Sequence, residues 1–266
     1  MSNDGSELGR TLSTDTELWV RRFHPADGAP IRLLCMPHAG GSASYFFRVA
    51  KALAPEIDVL AVQYPGRQER FSEPGLTSAR EMADRLVEAV LPLLDRPIAL
   101  FGHSLGATVG FEVALRLQER GIVPAAFFAS GRRAPHLSSF ARTHLRDDAG
   151  LIADVRALAG TDSWLLEDED VLRMVLPAIR SDYIAAETYE YRPGPRLRCP
   201  IVAIIGDDDP RVTVEQADAW REHTGAGFEL DVHPGGHFYL NDHVDAVLRR
   251  ITEHLSPARA SVDRPV

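Results

Sequence analysis

Residues 102–106 read Gly-His-Ser-Leu-Gly, a G-x-S-x-G pentapeptide set between an apolar run and a helical pattern. Before it, Pro97-Ile98-Ala99-Leu100-Phe101 has the apolar continuity of a buried parallel strand. After it, Ala107, Gly110, Phe111, Ala114, Leu115 and Leu117 recur at helical spacing. A strand that turns into a helix over so few residues holds the middle one in a strained backbone conformation and lifts its side chain above the sheet. The flanking glycines are needed because side chains there would collide with the neighbouring strand and helix. The pattern predicts an exposed nucleophilic serine, Ser104, in preference to a plain Gly-rich connection.

Further strand-like runs are Leu18–Phe23, Ile31–Met36, Val59–Tyr64, Ala125–Ser130, Ile201–Gly206 and Phe228–His233. Between several of them lie amphipathic stretches, near Ala43–Leu53, Ser78–Leu94, Thr108–Arg120, Val214–Thr224 and Val244–Leu255. Strands alternating with helices imply a mostly parallel sheet covered by helices on both faces, over residues 17–134 and 192–255. Residues 135–191 break the alternation with helical patterns alone, Leu145–Leu158 and Val171–Tyr189. We expect this insertion to form a helical lid, with Pro193-Gly194-Pro195 as a stiff return to the core. Residues 1–16 and 256–266 read as disordered tails.

Composition narrows the choice of partners. A net charge of −9 argues against nucleic acid. No apolar run reaches the ~20 residues of a membrane span, and the polar N-terminus lacks the apolar core of a signal peptide. A cytoplasmic protein with no membrane association is expected, and a monomer is the default. Cys35 and Cys199 sit in or beside apolar runs as buried thiols, and no metal-ligand spacing is present.

A serine needs a base to take its proton and a third group to orient that base. The run Ile201–Ile205 leads into Gly206-Asp207-Asp208-Asp209-Pro210, which puts carboxylates at the C-terminal end of a parallel strand. Spacing leaves Asp207, Asp208 and Asp209 open as the orienting acid, and the rigid Pro210 favours Asp209, with Asp207 as a turn cap. The run Phe228–His233 leads into Pro234-Gly235-Gly236-His237-Phe238, where two glycines allow a tight loop that returns His237 toward Ser104. Among the other histidines, His24, His144, His223 and His254 read as surface residues and His103 as a local packing residue. An oxyanion requires two fixed N–H donors. Leu105, directly after the serine, supplies one; Ala39, in the turn Pro37-His38-Ala39-Gly40-Gly41-Ser42, supplies the other. His38 helps to fix that turn.

The order serine, acid, histidine is that of an α/β-hydrolase. The chain also resembles the type II thioesterases that serve polyketide and nonribosomal peptide synthases. The resemblance rests on an ordered set of motifs: Pro37–Gly41, Tyr64-Pro65-Gly66-Arg67, Gly102–Gly106, Ser130-Gly131-Arg132-Arg133-Ala134-Pro135, Gly206–Pro210 and Gly235–Phe238. It carries the catalytic roles onto Ser104, Asp209 and His237. It implies hydrolysis of acyl thioesters from the phosphopantetheine arm of acyl or peptidyl carrier proteins, as an editing activity needing no cofactor and no metal. A small-molecule carboxylesterase or lipase-like hydrolase, and an acyltransferase, are the alternatives. In this frame the lid shapes an apolar acyl chamber, with His38, Trp164, Leu165, Met174 and Phe238 as candidate substrate-binding residues. Arg132, Arg133, Arg142 and Arg146 would supply local attraction for an acidic carrier, and Arg67 is a further candidate.

Overall fold

A computed structural model describes residues 14–138, 141–158 and 169–256. Seven strands form one sheet: β1 (Val20–Arg21), β2 (Ile31–Met36), β3 (Ile57–Val62), β4 (Ile98–His103), β5 (Phe127–Ser130), β6 (Ile201–Gly206) and β7 (Phe228–His233). Their order is β1-β3-β2-β4-β5-β6-β7, with β1 antiparallel to β3 and the other pairs parallel. The helices are α1 (Thr14–Trp19), α2 (Phe47–Leu53), α3 (Ala79–Val90), α4 (Leu105–Glu119), α5 (Asp148–Ala157), α6 (Glu169–Glu187), α7 (Val214–Asp218) and α8 (Val244–Leu255). This is the α/β-hydrolase arrangement.

Alternation along the central strands makes two cores. In β2, Leu34 and Met36 join the cluster beneath α3 and α4, while Leu33 and Cys35 join the cluster beneath α2 and α8. Burial on both faces explains why the strands read as continuous apolar runs rather than alternating ones. Among the described residues no helix is long and apolar enough to cross a membrane.

Two element boundaries differ from the sequence expectation for identifiable reasons. The run Leu18–Phe23 is strand only at Val20–Arg21, because Thr14–Trp19 is helical. Thr16 Oγ1 donates to Ala89 O at 2.8 Å and Trp19 packs edge-on against Tyr64, so α1 is held by tertiary contacts. The same helix begins at Thr14, inside the expected N-terminal tail of residues 1–16. Strand β3 begins at Ile57 rather than Val59 because the polar Asp58 is fully buried and paired with Arg22 and Arg32.

Residues 135–191 contain α5, α6 and a short turn at Thr143–Leu145, with no strand among the described residues. Leu151 of α5 and Leu176, Ile179 and Tyr183 of α6 form a small core of their own, against which Ala39 packs. The segment thus lies over the C-terminal edge of the sheet, directly above the Pro37–Ser42 turn.

Candidate active site

Every loop that contributes to the site leaves the C-terminal edge of a parallel strand, where open α/β sheets hold their ligands. Ser104 follows β4 and caps α4 with φ 55° and ψ −114°, one of two non-glycine residues with positive φ among those described. Its N–H donates to Ser130 O at 2.8 Å. A Cβ on Gly102 would lie 2.1 Å from Gly106 O, and one on Gly106 would lie 2.0 Å from Met36 O. Both glycines are therefore imposed by backbone approach, of the helix at one and of β2 at the other.

His237 and Asp209 meet as buried partners, with Nδ1 2.8 Å from Asp209 Oδ2. The carboxylate acceptor fixes the proton on Nδ1 and leaves Nε2 as the basic nitrogen. Asp209 Oδ1 accepts the Arg211 N–H at 2.8 Å. Asp207 does something different: its Oδ1 accepts the Gly235 N–H at 2.9 Å and so braces the histidine loop. Ser104 and His237 share the lining of a cavity of about 70 Å³ with His38, Ala39 and Phe238. The N–H groups of Ala39 and Leu105 have no protein acceptor among the described residues.

Behind this cavity, His103 Nδ1 meets Ser130 Oγ at 2.9 Å, and that hydroxyl meets Tyr239 OH at 2.7 Å. Burial, then the neighbouring His237 and His38, hold His103 far below the usual imidazole range. Burial likewise pushes His38 down to about 3, with His237 and Arg67 adding to the effect. Both rings are neutral spacers around His237: His103 lies 5.1 Å from it between centroids, and His38 packs edge-on against Phe238 at 4.8 Å.

Other expected residues are placed as follows. Met174 of α6 is 49% exposed and does not line the cavity. Trp164 and Leu165 lie outside the described residues. Of the four arginines expected to face a carrier, Arg142 and Arg146 are exposed, but Arg132 and Arg133 turn inward and line the cavity. Arg132 donates to Ala186 O on α6 at 2.8 Å, and Arg133 to Ser138 O at 3.3 Å. Arg67 is also internal, paired with Asp182 of α6. Three histidines read as surface residues are not: His223 is buried against His136 at 2.7 Å, His144 contacts Glu187 at 2.6 Å, and His254 packs on Phe128.

Asp182 escaped the sequence reading. It sits mid-helix without a motif, and only the periodic burial of Ala178, Ile179 and Ala185 around it marks its face as inward. Asp154 of α5 was missed for the same reason; it accepts Tyr183 OH at 3.0 Å and pairs with Arg211.

The thioesterase-domain family model matches residues 31–255. Thioesterase PikA5 of Streptomyces venezuelae is 48% identical over 259 residues, covering 97% of this chain and 92% of the relative. A probable cadicidin biosynthesis thioesterase of Streptomyces griseus is 47% identical over 252 residues, covering 94% and 70%. Among solved structures, the type II thioesterase BorB from the borrelidin biosynthetic cluster superposes with a TM-score of 0.85 at 51% identity, covering 90% of this chain and 98% of that one.

Proposed function

This chain belongs to the thioesterase family and hydrolyses thioesters; from that premise we propose that its substrates are acyl groups carried on the phosphopantetheine arm of acyl or peptidyl carrier proteins. In this reading Ser104, His237 and Asp209 act as nucleophile, base and orienting acid. The contact that supports it most is His237 Nδ1 to Asp209 Oδ2 at 2.8 Å, on a cavity that His237 shares with Ser104.

The chemistry runs in two halves. His237 Nε2 takes the Ser104 proton as Oγ attacks the thioester carbonyl, and the Ala39 and Leu105 N–H groups hold the oxyanion. The C–S bond breaks and the arm leaves as a thiol with the proton from His237. Water, deprotonated by His237, then releases the acid from Ser104. Asp209 keeps the imidazole in the required tautomer throughout. Helices α5 and α6 serve as the lid, and removal of stalled or wrongly primed acyl chains is the role.

The test is intact-mass analysis of the wild type and Ser104→Ala with a panel of acyl-carrier substrates. An acyl adduct on the wild type alone is expected; an adduct retained by the variant overturns Ser104 as nucleophile. Rates on acyl-carrier, acyl-pantetheine and plain oxygen esters complete it. Equal rates on all three would favour an esterase, and ester or amide products with added acceptors a transferase.

A further inference from the structure

The residue that opens the motif Ser130–Pro135 takes no part in the hydrolytic chemistry, yet it touches both loops that carry it. Ser130 ends β5 and is fully buried. Its main chain pairs with His103 across the sheet, and its carbonyl accepts the Ser104 N–H at 2.8 Å. Its side chain reaches toward the histidine loop: Oγ stands 2.9 Å from His103 Nδ1 and 2.7 Å from the hydroxyl of Tyr239. Tyr239 lies just beyond His237 and Phe238, and its own N–H donates to Gly236 O at 3.1 Å. A single hydroxyl thus ties the nucleophile elbow to the histidine loop. Other bonds anchor that loop elsewhere: Asp209 and Asp207 to the loop after β6, and Tyr45, through Asn241, to the segment after β2.

The surroundings hold this link in place. Gly131 has φ 58°, and a Cβ there would stand 2.6 Å from His103 Cε1, so the exit from β5 is shaped to admit the imidazole ring. Tyr239 stacks on His233 at 5.5 Å with an interplanar angle of 5°. The bonds also have a direction. Burial, then His237 and His38, keep His103 neutral, so two hydroxyls and one imidazole share three protons. If Tyr239 donates to Ser130 and Ser130 donates to His103 Nδ1, only the His103 Nε2–H lacks an acceptor, and Nε2 is indeed buried without a partner. The reverse direction strands the Tyr239 proton as well, a second uncompensated desolvation in a buried site.

Resting on the reading of Ser104 and His237 as nucleophile and base, we propose that Ser130 is a positioning residue whose hydroxyl, bonded to Tyr239, sets the distance and angle at which His237 meets Ser104. Neither Ser130 nor Tyr239 lines the catalytic cavity, so their influence on the reaction passes through the groups they hold. A displacement of about 1 Å at reacting groups costs up to about a hundredfold in rate. Loss of either hydroxyl frees the histidine loop from the elbow and leaves the cavity lining intact, so the effect falls on kcat rather than on KM.

The test compares Ser130→Ala, Tyr239→Phe, their combination and Ser130→Thr on one acyl-pantetheine thioester, with kcat expressed per Ser104 labelled at completion by a neutral fluorophosphonate. Completed labelling counts folded sites, so lost stability does not enter the rate. Thr224→Val is the control for stability alone, since Thr224 is also buried and its Oγ1 donates to Cys199 O at 2.7 Å, beside the start of β6 and away from the site. In each of Ser130→Ala and Tyr239→Phe, kcat should fall about ten- to hundredfold with KM within about twofold of the wild type. The double variant should be no slower than the slower single one, because both changes cut the same link. Ser130→Thr, which keeps the hydroxyl, should recover most of the rate, and Thr224→Val should retain it. The speed of fluorophosphonate labelling, which uses the same serine and base without a thioester, should fall in parallel. Unchanged kcat and labelling speed per site in both single variants overturn the proposal, as does a double-variant loss equal to the product of the single ones. If Ser130→Ala yields no folded protein, Tyr239→Phe, which keeps the ring, decides alone. Slower labelling in the variants with no turnover of any thioester would defeat the functional reading and support the positioning role. Turnover undiminished in His237→Ala would defeat both.

Discussion

Arg67 and Asp182, 115 positions apart in the chain, form a two-pronged buried ion pair with N–O distances of 2.7 and 2.8 Å. Asp182 Oδ2 also accepts the Gly40 N–H at 2.7 Å, and Arg67 donates to Gly41 O at 2.8 Å. The pair clamps both sides of the turn that carries Ala39 and ties that turn to α6. Asp182→Ala should cost about 3–5 kcal/mol, because it strands the Arg67 charge inside the protein. Arg67→Met with Asp182→Leu should recover much of that stability in denaturant unfolding while kcat stays low, since the Gly40 N–H has lost its acceptor. Full recovery of both would show that the clamp does not position the turn.

The two aspartates of the β6 loop have different partners, His237 for Asp209 and the Gly235 N–H for Asp207. Asp209→Asn should reduce kcat by about 10⁴-fold, the cost of a wrongly held imidazole tautomer. Asp207→Asn removes one bond to the Gly235 N–H, a loss of about 1 kcal/mol, and should change kcat less than tenfold. Steady-state kinetics on one thioester decides the assignment, and the reverse ranking would exchange the two roles.

Stability should fall on mild acidification. In the folded protein burial, then charged or polar neighbours, push His38 down to about 3, His223 down to about 4, and His103 far down. These rings stay neutral in the fold and take up protons only on unfolding. The unfolded state therefore binds more protons as pH drops below about 6.5, the free-histidine value. Their contribution is complete above that pH and is lost progressively toward pH 4 and 3. Each group adds a slope of about 1.4 kcal/mol per pH unit at most. Urea unfolding between pH 7 and 5, where unfolded carboxylates are still ionised, should show the decline, and His223→Phe should make it shallower.

Gly106→Ala should be among the most damaging single-methyl changes in the chain. The added carbon would stand 2.0 Å from Met36 O and 2.8 Å from Pro37 O, both backbone atoms at the end of β2. We expect a loss of about 3 kcal/mol or more. Gly28→Ala, with nothing within 4 Å of the new carbon, should lie within about 0.5 kcal/mol of the wild type. Thermal unfolding of the two variants side by side is sufficient.

What the sequence made legible follows from periodicity and turn chemistry. β2, β6, β7 and α8 have the bounds their apolar patterns indicate; for β2 and β6 this is because a strand buried on both faces admits little else. Ser104 and the His237 loop were marked by glycines whose necessity is geometric. Arginine direction was not legible. Arg67, Arg132 and Arg133 stand beside polar turns, where a long cation reads as solvated unless its distant acceptor is known. The acceptors of Arg67 and Arg132 on α6, Asp182 and Ala186, carry no local signature. His223 was misplaced likewise, since the partner that buries it, His136, is 87 positions away.

Arg211 works as a lever with two ends. Its guanidinium grips Asp154 on α5, while its own N–H holds Asp209 at 2.8 Å. Whatever lifts α5 pulls on the residue whose N–H holds Asp209. A displacement of α5 and a loosened hold on Asp209 are therefore mechanically coupled through this one residue.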